Sequence, residues 1–281
     1  MIIQAPKDVK DQREIAKTIS VYDQKITLLR EQNQTLEELA QTLFKRWFVE
    51  FEFPNENGQP YKSSGGNMVD SELGEIPEGW RIGVLGELSN LKSGYAFKSK
   101  DFVDSSCIKA IKIKDLKGKG VVEISDVSSV SEQVTIIERV KYFKLDKGDI
   151  VLAMSGNTTG KIGVIPPHDN ELYLNQRVGK FFLKDPSYKS FVYNFLMSGN
   201  YEERILSMGY GSAQPNINPS QIESIEVLIP RDEILTDYIG TSEPIYNKVL
   251  INNAEIQSLI QLRDTLLPKL MSGELKIKFN E

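Results

Sequence analysis

The sequence predicts a mixed α/β domain with a twisted sheet, flanked by two long antiparallel coiled-coil helices. Three observations carry this reading. A heptad seam runs through residues 1–53, short β-prone runs fill residues 80–230, and a second seam runs through residues 231–281. Helical patterns do not alternate with the strands, so a doubly wound fold is not expected.

The first seam reads Ile15, Ile19, Tyr22, Ile26, Leu29, Asn33, Leu36, Ala40, Leu43 and Trp47, in alternating steps of four and three. No proline or glycine interrupts residues 10–50. A helix of that length extends about 60 Å. One small domain cannot cover it, so a partner helix is required. Asn33 has two readings: a polar residue tolerated near solvent, or a device that fixes helix register. Residues 54–79 form a connector, because turn formers dominate and periodicity vanishes.

Within 80–230 the expected strands are Cys107–Ile113, Val121–Ile124, Asp149–Met154, Lys161–Ile165 and Gly179–Leu183, with a helix at Tyr188–Leu206. The second long helix carries Ile234, Tyr238, Ser242, Ile245, Val249, Asn252, Ile256, Leu259, Arg263, Leu266 and Leu270. Pro244 is expected to mark a restart, and Pro268 to kink or end the helix. Glu38–Trp47 is similar to Gln261–Leu270, and the same displacement carries Tyr22 to Ile245 and Leu36 to Leu259. The repeat implies a pseudo-symmetric rod, with coincidence between two heptad patterns as the alternative.

Several functions are disfavoured. Cys107 and His168 are the sole cysteine and histidine. They allow no intrachain disulfide and no Cys/His zinc site. Asp146, Asp149 and Asp169 are scattered and lack a metal-ligand arrangement. No catalytic or metal-binding residue is expected. No apolar stretch approaches a membrane span and no signal peptide is legible, so a cytoplasmic location is expected. The net charge of -5 argues against coating DNA by charge alone, but allows a local basic face.

Three loops carry candidate contacts. Ser155, Asn157, Thr158 and Lys161 lie in a small, polar, glycine-flanked loop. Such a loop can enter a DNA groove while its lysine meets phosphate; an ordinary hairpin turn is the alternative. It is not an ATP-binding loop, because β-prone residues follow the lysine. Asn175, Gln176 and Arg177 carry side chains suited to adenine and guanine edges, though each could equally brace a neighbouring loop. Gln214 and Asn216 lie in a third loop, polar and rich in glycine. Lys92, Lys98, Lys112 and Lys114 supply a DNA-backbone surface or a solvated face; on one strand, Lys112 and Lys114 point the same way. Phe44, Trp47 and Phe48, with Leu266 and Leu270, are candidates for docking a partner subunit. The alternative for the three aromatics is packing against the connector and middle domain.

Several segments together resemble the specificity subunit of type I restriction-modification systems. They are Gln12–Ala16, Asp23–Ile26, Leu36–Val49, Gly74–Trp80, Ser155–Lys161, Asn175–Gln176, Gln214–Ile217 and Leu262–Gly273. The resemblance implies helical regions at 1–53 and 231–281, and a DNA target-recognition domain at 80–230. Family members usually have two such domains, so this sequence is similar to a half-length or truncated form. The resemblance implies a non-catalytic chain without its own cofactor. Its partners would be double-stranded DNA, modification subunits using S-adenosylmethionine, and indirectly restriction subunits using ATP and magnesium. Two copies are expected to pair through the seams as a homodimer. A DNA-modifying or DNA-cleaving enzyme and a coiled-coil adaptor are the alternatives.

Overall fold

The computed structural model describes residues 6, 8–117, 120–124, 126–199, 201, 204–205 and 217–276. Helix α1 spans Val9–Phe48 and opens on Asp8, whose carboxylate accepts the Lys10 N–H at 2.8 Å. It ends at Phe48, with the Val49 N–H returning to Lys45 O, and two residues after Val49 Phe51 takes a left-handed backbone (φ 60°), a conformation costly for a bulky residue. Burial of the Phe51 ring edge-on to Trp80, with centroids 5.7 Å apart, holds the turn.

The chain returns along α1 as a second long helix, Asp232–Ser272. The two run antiparallel. Lys25 faces Glu255 at 3.3 Å, Asp23 faces Arg263 at 2.7 Å, and Ile26, Leu29 and Ile256 form a buried cluster between them. Neither proline interrupts the helix: Pro244 and Pro268 both lie inside it. It stops instead at Gly273 (φ 79°), whose N–H returns to the Leu270 carbonyl. Pairing within the chain occupies the seams, so they are not the free homodimer surface expected from the sequence. Asn33 and Asn252 are both buried, and Asn252 Nδ2 donates to Asn33 Oδ1 and Gln32 Oε1, each at 2.8 Å. That contact favours the register reading of Asn33.

The connector is more ordered than its composition implied. Phe53 stacks between Tyr61 and Trp80, and β1 (Met68–Ser71) pairs with β2 (Gly74–Pro77). Strand β3 (Arg81–Val84) leads into the domain, and a late strand, Glu226–Ile229, pairs with it on the way out. Entry and exit are thereby tied together before the return helix starts.

The domain contains two main sheets. Strand β4 is Ser89–Ser93, β5 Ile108–Ile111, β6 Gly120–Val121, β7 Ser128–Ser129 and β8 Lys144–Leu145. Strand β9 is Ile150–Ala153, β10 Ile162–Val164, β11 Glu171–Leu174 and β12 Val178–Leu183. One sheet has the order β4-β12-β9-β10-β6, the other β7-β5-β11-β8. Side-chain alternation divides the cores. Ile150 and Leu152 face the helices, while Val151 and Ala153 face Ile111, Leu172 and Leu174 of the second sheet. The outer face of that sheet packs Ala110 and Tyr173 beneath two short helices, Glu132–Thr135 (α2) and Glu138–Lys141 (α3). Between the sheets Lys180 meets Asp149 at 2.6 Å, with both side chains largely buried.

Helix α4 is Lys189–Met197, shorter than the helix expected to Leu206. Ser198 leaves the helical conformation, and Leu206 lies outside the described residues. Among the described residues no helix is long and apolar enough to cross a membrane.

Asn252→Ala is expected to cost about 1–3 kcal/mol in urea unfolding, because it strips a buried acceptor of its donor. Replacing Asn33 and Asn252 together by leucine should recover that loss. A neutral single variant would contradict the structural weight given to this contact.

Candidate nucleic-acid interface

Four loops gather at one end of the domain, where β4, β5, β9 and β11 all finish. Backbone hydrogen bonds fasten them. Asn175 N–H donates to Ile111 O at 3.0 Å, Tyr95 N–H to Leu174 O at 2.8 Å, and Met154 N–H to Arg177 O at 3.0 Å. The turn at Gly156–Thr158 packs on the turn at Ile113–Asp115, with the Thr158 hydroxyl donating to Ile113 O at 3.3 Å. The loops therefore issue from sheet ends whose side chains are locked by packing. Ligand groups mounted this way lose little freedom on binding.

The sequence-derived residues fall into distinct positions. Asn157, Gln176, Arg177 and Lys114 are exposed at the gathered loops. Asn175 is half-buried and serves the edge through its backbone. Lys98 is exposed just before a short turn at Ser99–Asp101. Lys92 is exposed in β4, opposite Lys180 in the ladder with β12.

Others are engaged inside the protein. The Ser155 hydroxyl is buried, so it is not offered to a groove as expected. Lys161 Nζ donates to Lys117 O at 3.2 Å and ties two loops together. Lys112 and Lys114 do not share a strand, because β5 stops at Ile111 and a 3-10 turn begins at Ile113. Lys112 Nζ lies 3.5 Å from the Phe102 ring centroid, a cation-π contact. Burial, and then the charge of Lys114, lower its pKa. Gln214 and Asn216 lie outside the described residues. Ile217, which follows them, donates its N–H to Met154 O at 3.0 Å on this same edge.

Two features escaped the sequence reading. Asp115 is buried and accepts the Lys112 N–H at 2.8 Å, fixing the turn that carries Lys114; burial pushes its carboxyl pKa up. Ser93–Phe97 is the fourth loop. Its Gly94 lies so close to β11 that a Cβ would sit 2.2 Å from Leu174 O. A glycine beside two aromatics, Tyr95 and Phe97, was the available signal.

The docking assignment of the first helix needs correction. Phe44, Trp47 and Phe48 are buried, Phe44 and Phe48 against Phe191 of the middle domain, as in the alternative reading, and all three against Tyr238 of the return helix; they leave little surface for a second subunit. Leu270 is also buried and Leu266 half-buried. Among the described residues no cluster of three His, Cys, Asp or Glu side chains could hold a metal ion.

A sheet domain is thus mounted on an antiparallel rod, with polar and basic loops gathered at one edge. Residues 77–260 match the family model described as the type I restriction modification DNA specificity domain, and the chain belongs to that family. It is 27% identical over 272 residues to the type I restriction enzyme MjaIX specificity subunit of Methanocaldococcus jannaschii, covering 96% of this chain and 60% of that protein. The MjaVIII specificity subunit of the same organism is 27% identical over 274 residues, with 96% and 61% covered. The chain thus spans about three fifths of the length of these relatives. The crystal structure of a type I restriction-modification S subunit from M. genitalium shares the fold, with a TM-score of 0.59 and 18% identity over 97% of this chain and 62% of that one.

Proposed function

We propose that this chain reads a DNA sequence as the specificity subunit of a type I restriction-modification complex, through the edge where the four loops meet. The observation that carries this reading is the exposure of Asn157, Gln176, Arg177 and Lys114 on loops braced by their own backbones. Amide and guanidinium groups match adenine and guanine edges in the major groove, and ammonium groups match phosphate. The chain would act without catalysis and without a cofactor of its own. S-adenosylmethionine would belong to the modification partner, and ATP and magnesium to the restriction partner. The cytoplasm, where cellular DNA is available, is the proposed location.

Arg177→Ala and Gln176→Ala are expected to relax base choice, each losing about 1–3 kcal/mol against the preferred site. Lys114→Ala should weaken all sequences alike and lower the salt slope by about one phosphate contact. Competition binding at several salt concentrations separates these effects. Equal, salt-independent losses in all three variants would contradict the division between base-reading and backbone contacts.

Two copies are proposed to meet in the assembled complex and so present two reading edges. Pairing within the chain occupies most of the seams, so the contact falls to what remains, including the far end of the rod, where the seam residues Ile15 and Ile19 line a groove with Ala16, Leu267 and Met271. Light scattering should find two copies per complex on DNA carrying two half-sites. One copy, both free and on that DNA, would overturn the pairing.

A further inference from the structure

We propose that Tyr95 is a further specificity-determining residue, reading a base next to those met by Gln176 and Arg177; this rests on the DNA-reading function proposed above. The backbone fixes the position of Tyr95. Tyr95 lies directly beside Asn175 in a parallel bridge, one residue from Gln176. Its neighbour Gly94 donates to Val178 O at 3.0 Å, and Tyr95 itself donates to Leu174 O at 2.8 Å. A side chain at position 94 would collide with the Leu174 and Asn175 carbonyls, so the close approach requires glycine. Tyr95 is thus held in the plane of the β11–β12 turn from both sides.

The side chain is fixed at its base and open at its tip. The ring packs edge-on to buried Phe97, with centroids 5.0 Å apart and planes 75° from each other. The residue is half-buried, and its hydroxyl has no hydrogen-bond partner among the described residues. As a half-buried residue, Tyr95 keeps part of its surface open at this edge. Tyr173, Tyr193, Tyr238 and Tyr246 differ in kind: each is buried, and the hydroxyls of Tyr173, Tyr238 and Tyr246 bond within the protein. A rigid ring with a free phenol suits a base edge, because the ring contacts the thymine methyl or stacks while the hydroxyl donates or accepts. Lys98, three residues on and exposed, can meet the adjacent phosphate.

The test is selection of bound duplexes from a randomised DNA pool by the full chain in its assembled complex. Wild type, Tyr95→Ala, Tyr95→Phe and Gln176→Ala would be compared, with thermal melting as a check on folding. Tyr95→Ala is expected to lose preference at one base position next to that altered by Gln176→Ala. It should weaken the wild-type site about tenfold, with the salt slope unchanged. Tyr95→Phe, which keeps the packing on Phe97, should shift the same position by a smaller factor. An unchanged selected sequence in both Tyr95 variants, with Gln176→Ala altered, would overturn the inference and leave the DNA-reading function standing. A reduced salt slope without any change of sequence would also overturn it, since the residue would then be a backbone contact. No sequence preference in the wild-type complex would overturn both.

Discussion

The packing of six aromatic rings at the end of the first helix is the interaction on which the rest depends. Phe48 lies 4.7 Å from Tyr238, 5.0 Å from Phe191 and 5.6 Å from Trp80, centroid to centroid, with Phe44 and Trp47 on either side. One residue thus touches the return helix, the domain's helix α4 and the domain's entry at Trp80. Removing such a ring from a core typically costs about 3–5 kcal/mol, and each edge contact adds about 0.5–1.5 kcal/mol beyond area burial. Polar pins add direction. Asn194 donates to the Tyr238 hydroxyl at 2.9 Å, Ser242 to Ser190 at 2.8 Å, and Tyr246 to Gly148 O at 2.9 Å. Burial holds Tyr193, Tyr238 and Tyr246 neutral by raising their pKa values.

From this joint the geometry of the reading edge follows. Strand β9 is buried along its length, with one face toward the joint and the other toward the second sheet. Its end delivers Ser155–Lys161, and its neighbour β12 begins just after Gln176 and Arg177. The second sheet brings Lys112–Leu116 alongside, through the pairing of β5 with β11. The loops are mutually fixed, and the stack of layers relates them to the rod. The proposed DNA reading depends on that relation, because a rod can set the position of the loop edge only if the edge does not swing.

The two long helices were the most legible part of the sequence, since a heptad pattern depends on local spacing alone. Their failures were local and physical. Phe44, outside the strict seam, is buried because the domain covers that side of α1, while Leu43 is half-buried. Leu250 and Tyr246 replace Ile245 in the core of the return helix for the same reason. Pro244 did not restart the helix, and Pro268 lies inside it, four residues before its end at Ser272. Strands β9, β10 and β12 stood out as apolar runs, but β3, β4, β11 and the late partner of β3 carry polar or charged residues. Pairing rather than pattern defines them. At the candidate site, residue chemistry marked Asn157, Gln176 and Arg177. It could not show that Ser155, Lys112 and Lys161 turn toward the protein, because that depends on which loop lies next to which.

Contact of DNA with the edge where the four loops meet can be measured by hydrogen exchange of the full chain, free and with an excess of duplex DNA carrying the selected site. Slowed exchange is expected in Ser93–Lys98, Lys112–Leu116, Ser155–Lys161 and Asn175–Arg177, with little change at α2 and α3 on the outer face of the second sheet. Slowed exchange confined to the rod or to α2 and α3, with those four loops unaffected, would contradict it.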